Sequence, residues 1–340
     1  MNTAQTSKRA TITRRGFLQA SGAFLGGTVV GSWLTGNLYS SQTAAPLPKL
    51  LPGVQAPPMT TTTKSGLRVH AIQTGFVAVK RVHRAYEGPD ALALPAIALD
   101  RQWTEWLPIY TWAIEHPEGL IVIDTGESSR SSDPAYFACD PASRFIYNSF
   151  LRFAVTQEDE IGVQLRQLGL PPQEVRWVIQ THLHSDHADG MAYFPNAEFL
   201  IGAADYPNSQ GALPCHYPNW LAPTLVEFTN KALYTFDRSY PVTKDGAVVI
   251  VQTPGHSVAH QSVLLQDDDL LYCFAGDASF DVPQMQSGLI AGIASDRPSA
   301  RTTLTRLRTL TEMQPTIYLP SHDADAGRRL VEHEAVQPIG

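Results

Sequence analysis

Residues 181–190 read THLHSDHADG and place three of the chain's eleven histidines within one short stretch. His182 and His184 stand two apart, as at the end of a strand or in an extended loop, where alternate side chains point the same way. Asp186 and His187 follow at a turn, which can swing a second pair toward the same point. Neutral imidazole and carboxylate are good ligands for Zn2+ and related divalent ions. The bland alternative is a polar surface loop that happens to be rich in histidine. The rest of the chain argues against it.

The remaining pieces fall at strand ends. Apolar, β-branched runs recur as LIVIDTG, RWVIQTH, EFLIGA, AVVIVQTPGH, LLYCFAGD and TIYLPSH, with the length and composition of buried strands. Three of these runs close on His256 in TPGHS, Asp277 in AGDAS and His322 in PSHD. Taken singly, each is more often a structural histidine or a capping aspartate. Converging on one edge of a layered fold, they can build a two-metal site instead. Helical patterns lie between the strands. Residues 156–169 offer a Thr156/Asp159 capping box, apolar Ile161, Leu165 and Leu168, and a glycine stop. Residues 299–313 set Leu304, Leu307 and Leu310 on one face. The mixture predicts an α/β layered domain.

Composition is that of an ordinary globular chain: 340 residues, 43% hydrophobic and 17% charged, which fits neither disorder nor a polytopic membrane protein. A formal charge of -7 argues against nucleic acid as the main partner, since phosphate binding needs a basic surface. The first 45 residues read separately. TRRGFLQ, residues 13–19, resembles a twin-arginine export signal and precedes a weakly apolar, glycine-rich run over 20–38. It implies a periplasmic or secreted protein that meets the membrane only during export. Residues 46–64 read as a Pro/Thr-rich linker and 65–340 as one domain. Cys139, Cys215 and Cys273 form no CxxC pair. They read as free thiols, Cys273 buried in LLYCFAG, although an oxidising compartment would permit a Cys139–Cys215 disulfide.

The pattern HxHxDH at 182–187, with His256, Asp277 and His322 after it, resembles the metallo-β-lactamase superfamily, whose fold is an αββα sandwich. The resemblance runs from about Leu67 to the C-terminal region. It implies two divalent ions, with Zn2+ expected: one on His182, His184 and His256, the other on Asp186, His187 and His322, with Asp277 bridging. Asp124 in IDTG would orient a ligand histidine from outside. The bridging aspartate sets the chain apart from true β-lactamases of this fold. TPGHSVAHQS, AGDASF, LPIYTWAIEHPEGLIVIDTG and TQEDEI resemble the N-acyl homoserine lactone lactonases.

That resemblance implies a small-molecule substrate, a lactone or related ester. It would be opened by hydroxide held between metals roughly 3.5–4 Å apart, with Asp186 passing a proton to the leaving oxygen. The alternatives are a phosphotriesterase of the methyl parathion hydrolase type, another exported esterase, or a binding protein that keeps the fold without the activity. The lactonases usually carry a tyrosine three residues after the bridging aspartate; Phe280 stands here. It reads as an apolar pocket wall, so any hydrogen-bond donor to the substrate must come from elsewhere. His216 reads as pocket lining and His260 as a brace behind the site. His70, His83, His116 and His333 read as surface or structural. Trp103, Trp106 and Trp112 read as core or edge packing. The aromatic stretch Tyr136, Phe137, Phe145, Tyr147, Phe150 and Phe153 fits either a lid or a packed helix.

Overall fold

The computed structural model describes residues 56–229 and 231–338. The expected export segment and the first part of the expected linker lie outside the described residues. An eight-stranded sheet is built from β1 (Met59–Thr62), β2 (Arg68–Val79), β3 (Leu107–His116), β4 (Gly119–Ile123), β5 (Leu151–Ala154), β6 (Val175–Ile179), β7 (Glu198–Gly202) and β8 (Thr224–Val226). Its order is β1-β2-β3-β4-β6-β7-β8, with β5 paired to β2. A five-stranded sheet holds β9 (Ser239–Pro241), β10 (Val248–Gln252), β11 (Gln261–Asp267), β12 (Leu270–Gly276) and β13 (Thr316–Pro320), in the order β13-β12-β11-β10-β9. The six runs singled out in the sequence are β4, β6, β7, β10, β12 and β13. The linker reading needs one correction: Met59–Thr62 pairs antiparallel with β2, so the domain begins before residue 65.

Alternation along each strand decides the layers, because successive side chains face opposite ways. Ile121 and Ile123 of β4 and Trp177 and Ile179 of β6 face inward. There they meet Tyr272 and Phe274 of β12 and Ile317 and Leu319 of β13 in one core between the sheets. The intervening residues face out. Val122 and Val178 pack under Ile161 and Leu165 of the helix Ile161–Gln167. Leu271, Cys273 and Tyr318 pack under Leu304, Leu307 and Leu310 of the helix Arg297–Met313. The result is the αββα sandwich. The Thr156/Asp159 capping box forms as read, on a short 3-10 turn ahead of the helix.

Cys273 is a buried free thiol, but Cys139 and Cys215 are joined. The free-thiol reading of that pair is therefore wrong. Their 76-residue separation carries no signal in sequence. The fold folds the 136–153 stretch back onto the turn Pro214–His216, and the two Cα atoms come to 5.7 Å, within the span a disulfide closes. The aromatic stretch itself is largely packed. Phe137 stacks on Tyr147 with ring centroids 4.6 Å apart, and both are buried with Leu213. Only Phe145 among them turns substantially outward. Trp112 is core, and Trp103 lies beneath the cationic groups of Lys80 and Arg152.

Candidate metal centre

Strands β4 and β6 run parallel, as do β12 and β13. β10 is antiparallel to β11, which is antiparallel to β12, so β10 and β12 share a direction. The C-terminal ends of these strands therefore open on common edges, and just beyond them stand Asp124, His182, His256, Asp277 and His322. After His182 the chain turns at His184 into the single helical turn Ser185–Ala188, which carries Asp186 and His187 inward. Gly276, at φ 56°, lets Asp277 come this close: a Cβ there would lie 2.8 Å from His260 Nε2.

The seven residues named from the sequence come together. His182 Nε2 and His256 Nε2 each lie 3.0 Å from His184 Nδ1. On the other side, His322 Nε2 is 3.4 Å from Asp186 Oδ2, and His187 Nε2 is 3.9 Å from Asp186 Oδ1. Asp277 stands between the groups: Oδ2 is 3.4 Å from His256 Nε2 and 3.3 Å from His322 Nε2, while Oδ1 is 3.3 Å from His187 Nε2. The ligand atoms of His182, His184 and His256 form one cluster that could hold a metal ion, and those of Asp186, His187 and His322 form another.

Outward contacts set which nitrogen of each ring faces in. His187 Nδ1 donates to Asp124 Oδ2 at 2.8 Å, and His322 Nδ1 donates to the Pro108 carbonyl at 2.8 Å. His184 Nε2 donates to the Gln210 carbonyl at 3.1 Å. Each leaves its other nitrogen directed at the centre. Asp124 also accepts the backbone N–H and the hydroxyl of Thr181, and Thr181 Oγ1 lies 3.1 Å from His182 Nδ1. Asp124 thus sits behind ligands of both clusters, held at φ 58°, a left-handed conformation that aspartate tolerates better than most residues.

His260 takes the bracing place read for it. Its Nε2 accepts the Asp277 backbone N–H at 3.1 Å, and its Nδ1 is 2.8 Å from Thr253 Oγ1. Burial pushes this ring down to about 3, which keeps it neutral.

The donor set fits divalent ions. Burial, reinforced by neighbouring imidazoles, holds His182 well below its usual pKa, and burial does the same for His256. Burial opposes charge on His187, yet Asp277, Asp124 and Asp186 raise it well above the usual value. Against burial, His322, His187 and His256 hold the Asp277 carboxyl well below the usual range. Among the described residues the buried His187 Nε2 and Asp277 Oδ1, 3.3 Å apart, have no hydrogen-bond partner, and buried polar atoms left unpaired are costly. A cation at this point answers both.

Other readings fared unevenly. Phe280 is buried and stacks on His322 with centroids 5.3 Å apart, so it backs a ligand. His216 borders a cavity of about 300 Å3 with Arg130, Tyr136 and Cys215. Both its nitrogens are engaged, Nδ1 with Asp189 at 2.9 Å and Nε2 with the Tyr136 carbonyl at 3.0 Å. His70, His116 and His333 are structural. His70 and His116 are buried, so neither is at the surface.

Residues that drew no notice in the sequence also support the centre. Glu127 is buried and accepts the Ser185 hydroxyl at 2.6 Å. Burial first, then Asp189, pushes its carboxyl well above the usual range. The Gln210 carbonyl was invisible because a backbone group has no residue signature, whereas Glu127 in DTGES and Asp189 in HADG did stand beside recognised motifs.

A family model described as the Metallo-beta-lactamase superfamily matches residues 104–322. The chain belongs to that superfamily. The N-acyl homoserine lactonase AttM of Rhizobium johnstonii is 28% identical over 236 residues, covering 65% of this chain and 83% of that protein. A solved structure of an N-acyl homoserine lactone hydrolase, with the product N-hexanoyl-L-homoserine bound at its catalytic metal center, superposes with a TM-score of 0.63 at 20% identity. It covers 81% of this chain and 100% of its own. AidC, a dizinc quorum-quenching lactonase, superposes with a TM-score of 0.50 at 16% identity, over 79% of this chain and 91% of its own. The two structural likenesses speak for the fold.

Proposed function

We propose that this protein is a dinuclear metal-dependent hydrolase that opens lactones of the N-acyl homoserine type. The observation that carries the reading is Asp277, a single buried carboxylate within 3.3–3.4 Å of imidazoles from both ligand clusters. Its relatives act as lactonases, and the two clusters suit a pair of ions. His182, His184 and His256 would hold one ion, Asp186, His187 and His322 the other, and Asp277 both. Such ions, with zinc the metal we favour, would polarise an ester carbonyl and make water a nucleophile at neutral pH.

The chain's own groups do the rest. Asp124, the Pro108 carbonyl and the Gln210 carbonyl fix the ligand rings, so little reorganisation is needed when a substrate arrives. Asp186 is the residue we assign to carry a proton to the leaving alkoxide, since its carboxylate borders both His187 and His322 and ring opening needs an acid at that oxygen.

The test is a panel of lactones, aryl esters, phosphotriesters and thioesters, run on protein carrying about two equivalents of zinc by elemental analysis. N-acyl homoserine lactones should be turned over best. Phosphotriester turnover without lactone opening would move the assignment to the parathion-hydrolase type.

We also infer that the protein works outside the cytoplasm, exported by the twin-arginine route. The residues Arg14 and Arg15 support this, and so does the Cys139–Cys215 disulfide, since such bonds persist in oxidising compartments. Replacing both arginines with lysine should strand the precursor in the cytoplasm. Unchanged export of that variant would rule this route out.

A further inference from the structure

His83 differs from the other histidines outside the ligand set. His70 bonds Thr60 and Glu115, His116 bonds Asp245, and His333 bonds Thr61 and Tyr272. His83 is buried too, yet its ring makes no hydrogen bond among the described residues. Its ring meets Phe280 edge to face with centroids 6.3 Å apart, and Phe280 in turn stacks on His322. His83 therefore stands one ring away from His322, beside the centre.

A neutral imidazole carries one N–H and has two places to put it. Nδ1 is sealed from solvent with no partner, and an unpaired buried N–H is rarer in proteins than an under-satisfied acceptor. The proton accordingly belongs on Nε2, which is not sealed in this way and makes no hydrogen bond among the described residues. Burial pushes the ring down to about 3, so it stays neutral and does not compete with a cation. Phe280, its neighbour on the wall, has no donor to offer.

We propose that His83 is a substrate-positioning residue that donates its Nε2–H to an oxygen of the reacting ester group of the bound lactone. This rests on the lactonase reading above. The placement one ring from His322 puts the contact at the reacting group and not along the acyl chain, so its loss should be felt on every ester the enzyme takes.

The experiment compares zinc-loaded wild type with His83→Phe, which keeps a ring against Phe280 and removes the donor. It adds His83→Gln, whose amide N–H can reach where Nε2 stood. Zinc content, melting temperature, kcat and KM on a lactone and an aryl ester, and calorimetric binding of the ring-opened hydroxy acid are read for all three.

His83→Phe should lose ten- to a hundredfold in kcat/KM at unchanged zinc content and bind the hydroxy acid more weakly, and His83→Gln should recover part of both. Wild-type kinetics and product affinity in His83→Phe overturn the proposal. So does a loss that tracks missing zinc, or an equal loss in both variants, which marks packing alone. Should His83→Phe fail to fold, His83→Leu takes its place. The lactonase reading is judged separately by the wild-type panel, and the variant ratio is read on any ester that wild type hydrolyses.

Discussion

The side chains proposed as ligands of this centre are held in two different ways. His187 and His322 lean on groups at the strand edge, Asp124 and the Pro108 carbonyl. His184 leans on the Gln210 carbonyl, which belongs to a loop fixed by its own contacts. The Tyr147 hydroxyl donates to the Gly211 carbonyl, His216 pairs with Asp189, and Cys215 is joined to Cys139. His256 Nδ1 has no hydrogen-bond partner among the described residues. Most of the centre is thus positioned by strand ends, and His184 by a stapled loop. The difference teaches that a complete set of ligands can rest on supports of unequal firmness.

Removing what joins the two sides should have the largest effect. Asp277→Ala should lower activity by about a thousandfold or more and leave at most one tightly bound ion, as loss of a shared ligand requires. Elemental analysis with steady-state kinetics checks both, and two retained ions at full activity would end the bridging assignment. Asp124→Asn strikes the sheet-held side. The carboxylate that holds the His187 ring is lost while shape is kept, and metal affinity should fall about ten- to a hundredfold, measured by competition with a chelator.

Cys215→Ser strikes the loop-held side. Loss of the crosslink should destabilise the fold by about 2–4 kcal/mol while metal affinity falls less than in Asp124→Asn. If the cysteine variant loses more metal than the aspartate variant, the ranking of the two supports is reversed.

The smallest effect concerns Glu127, packed behind Ser185. Burial and Asp189 raise its folded pKa, so between the ordinary glutamate value of about 4.3 and that raised value the native state holds a proton that the unfolded chain has released. Wild-type stability must then fall as pH rises through that window. Glu127→Gln carries no such proton. Its melting temperature should therefore gain on wild type from pH 5 to 8, and parallel curves would show that Glu127 is not held neutral.

Legibility in the sequence follows the same division. Strand-end ligands announce themselves, because β-branched runs mark the strands and a polar residue closing each run marks the edge. This is why His182, His256, Asp277, His322 and Asp124 could all be placed, and why an α/β layered domain was legible, while the αββα order came only from the family resemblance. The loop-held side offered no such pattern. Gln210 acts through its backbone, the Cys139–Cys215 pairing depends on how a distant aromatic stretch folds back, and the Asp189–His216 contact joins residues 27 apart. His83 was legible only as surface or structural for a related reason: nothing in RVHRAY tells a buried, unbonded imidazole from a surface one.

The direction of the strands has a practical consequence. Since the ligand-bearing ends of β4 and β12 open on the reactive edge, the hairpins that lead into them lie at the far ends of the same strands. The β3–β4 turn at His116 and Gly119 and the β11–β12 turn at Asp267 and Leu270 belong to these hairpins, and Asp268 already sits at φ 54°, where a longer, glycine-bearing loop is easily accommodated. A tether grafted at Asp268 would fix the molecule to a bead or filter with its reactive edge turned toward the flowing liquid.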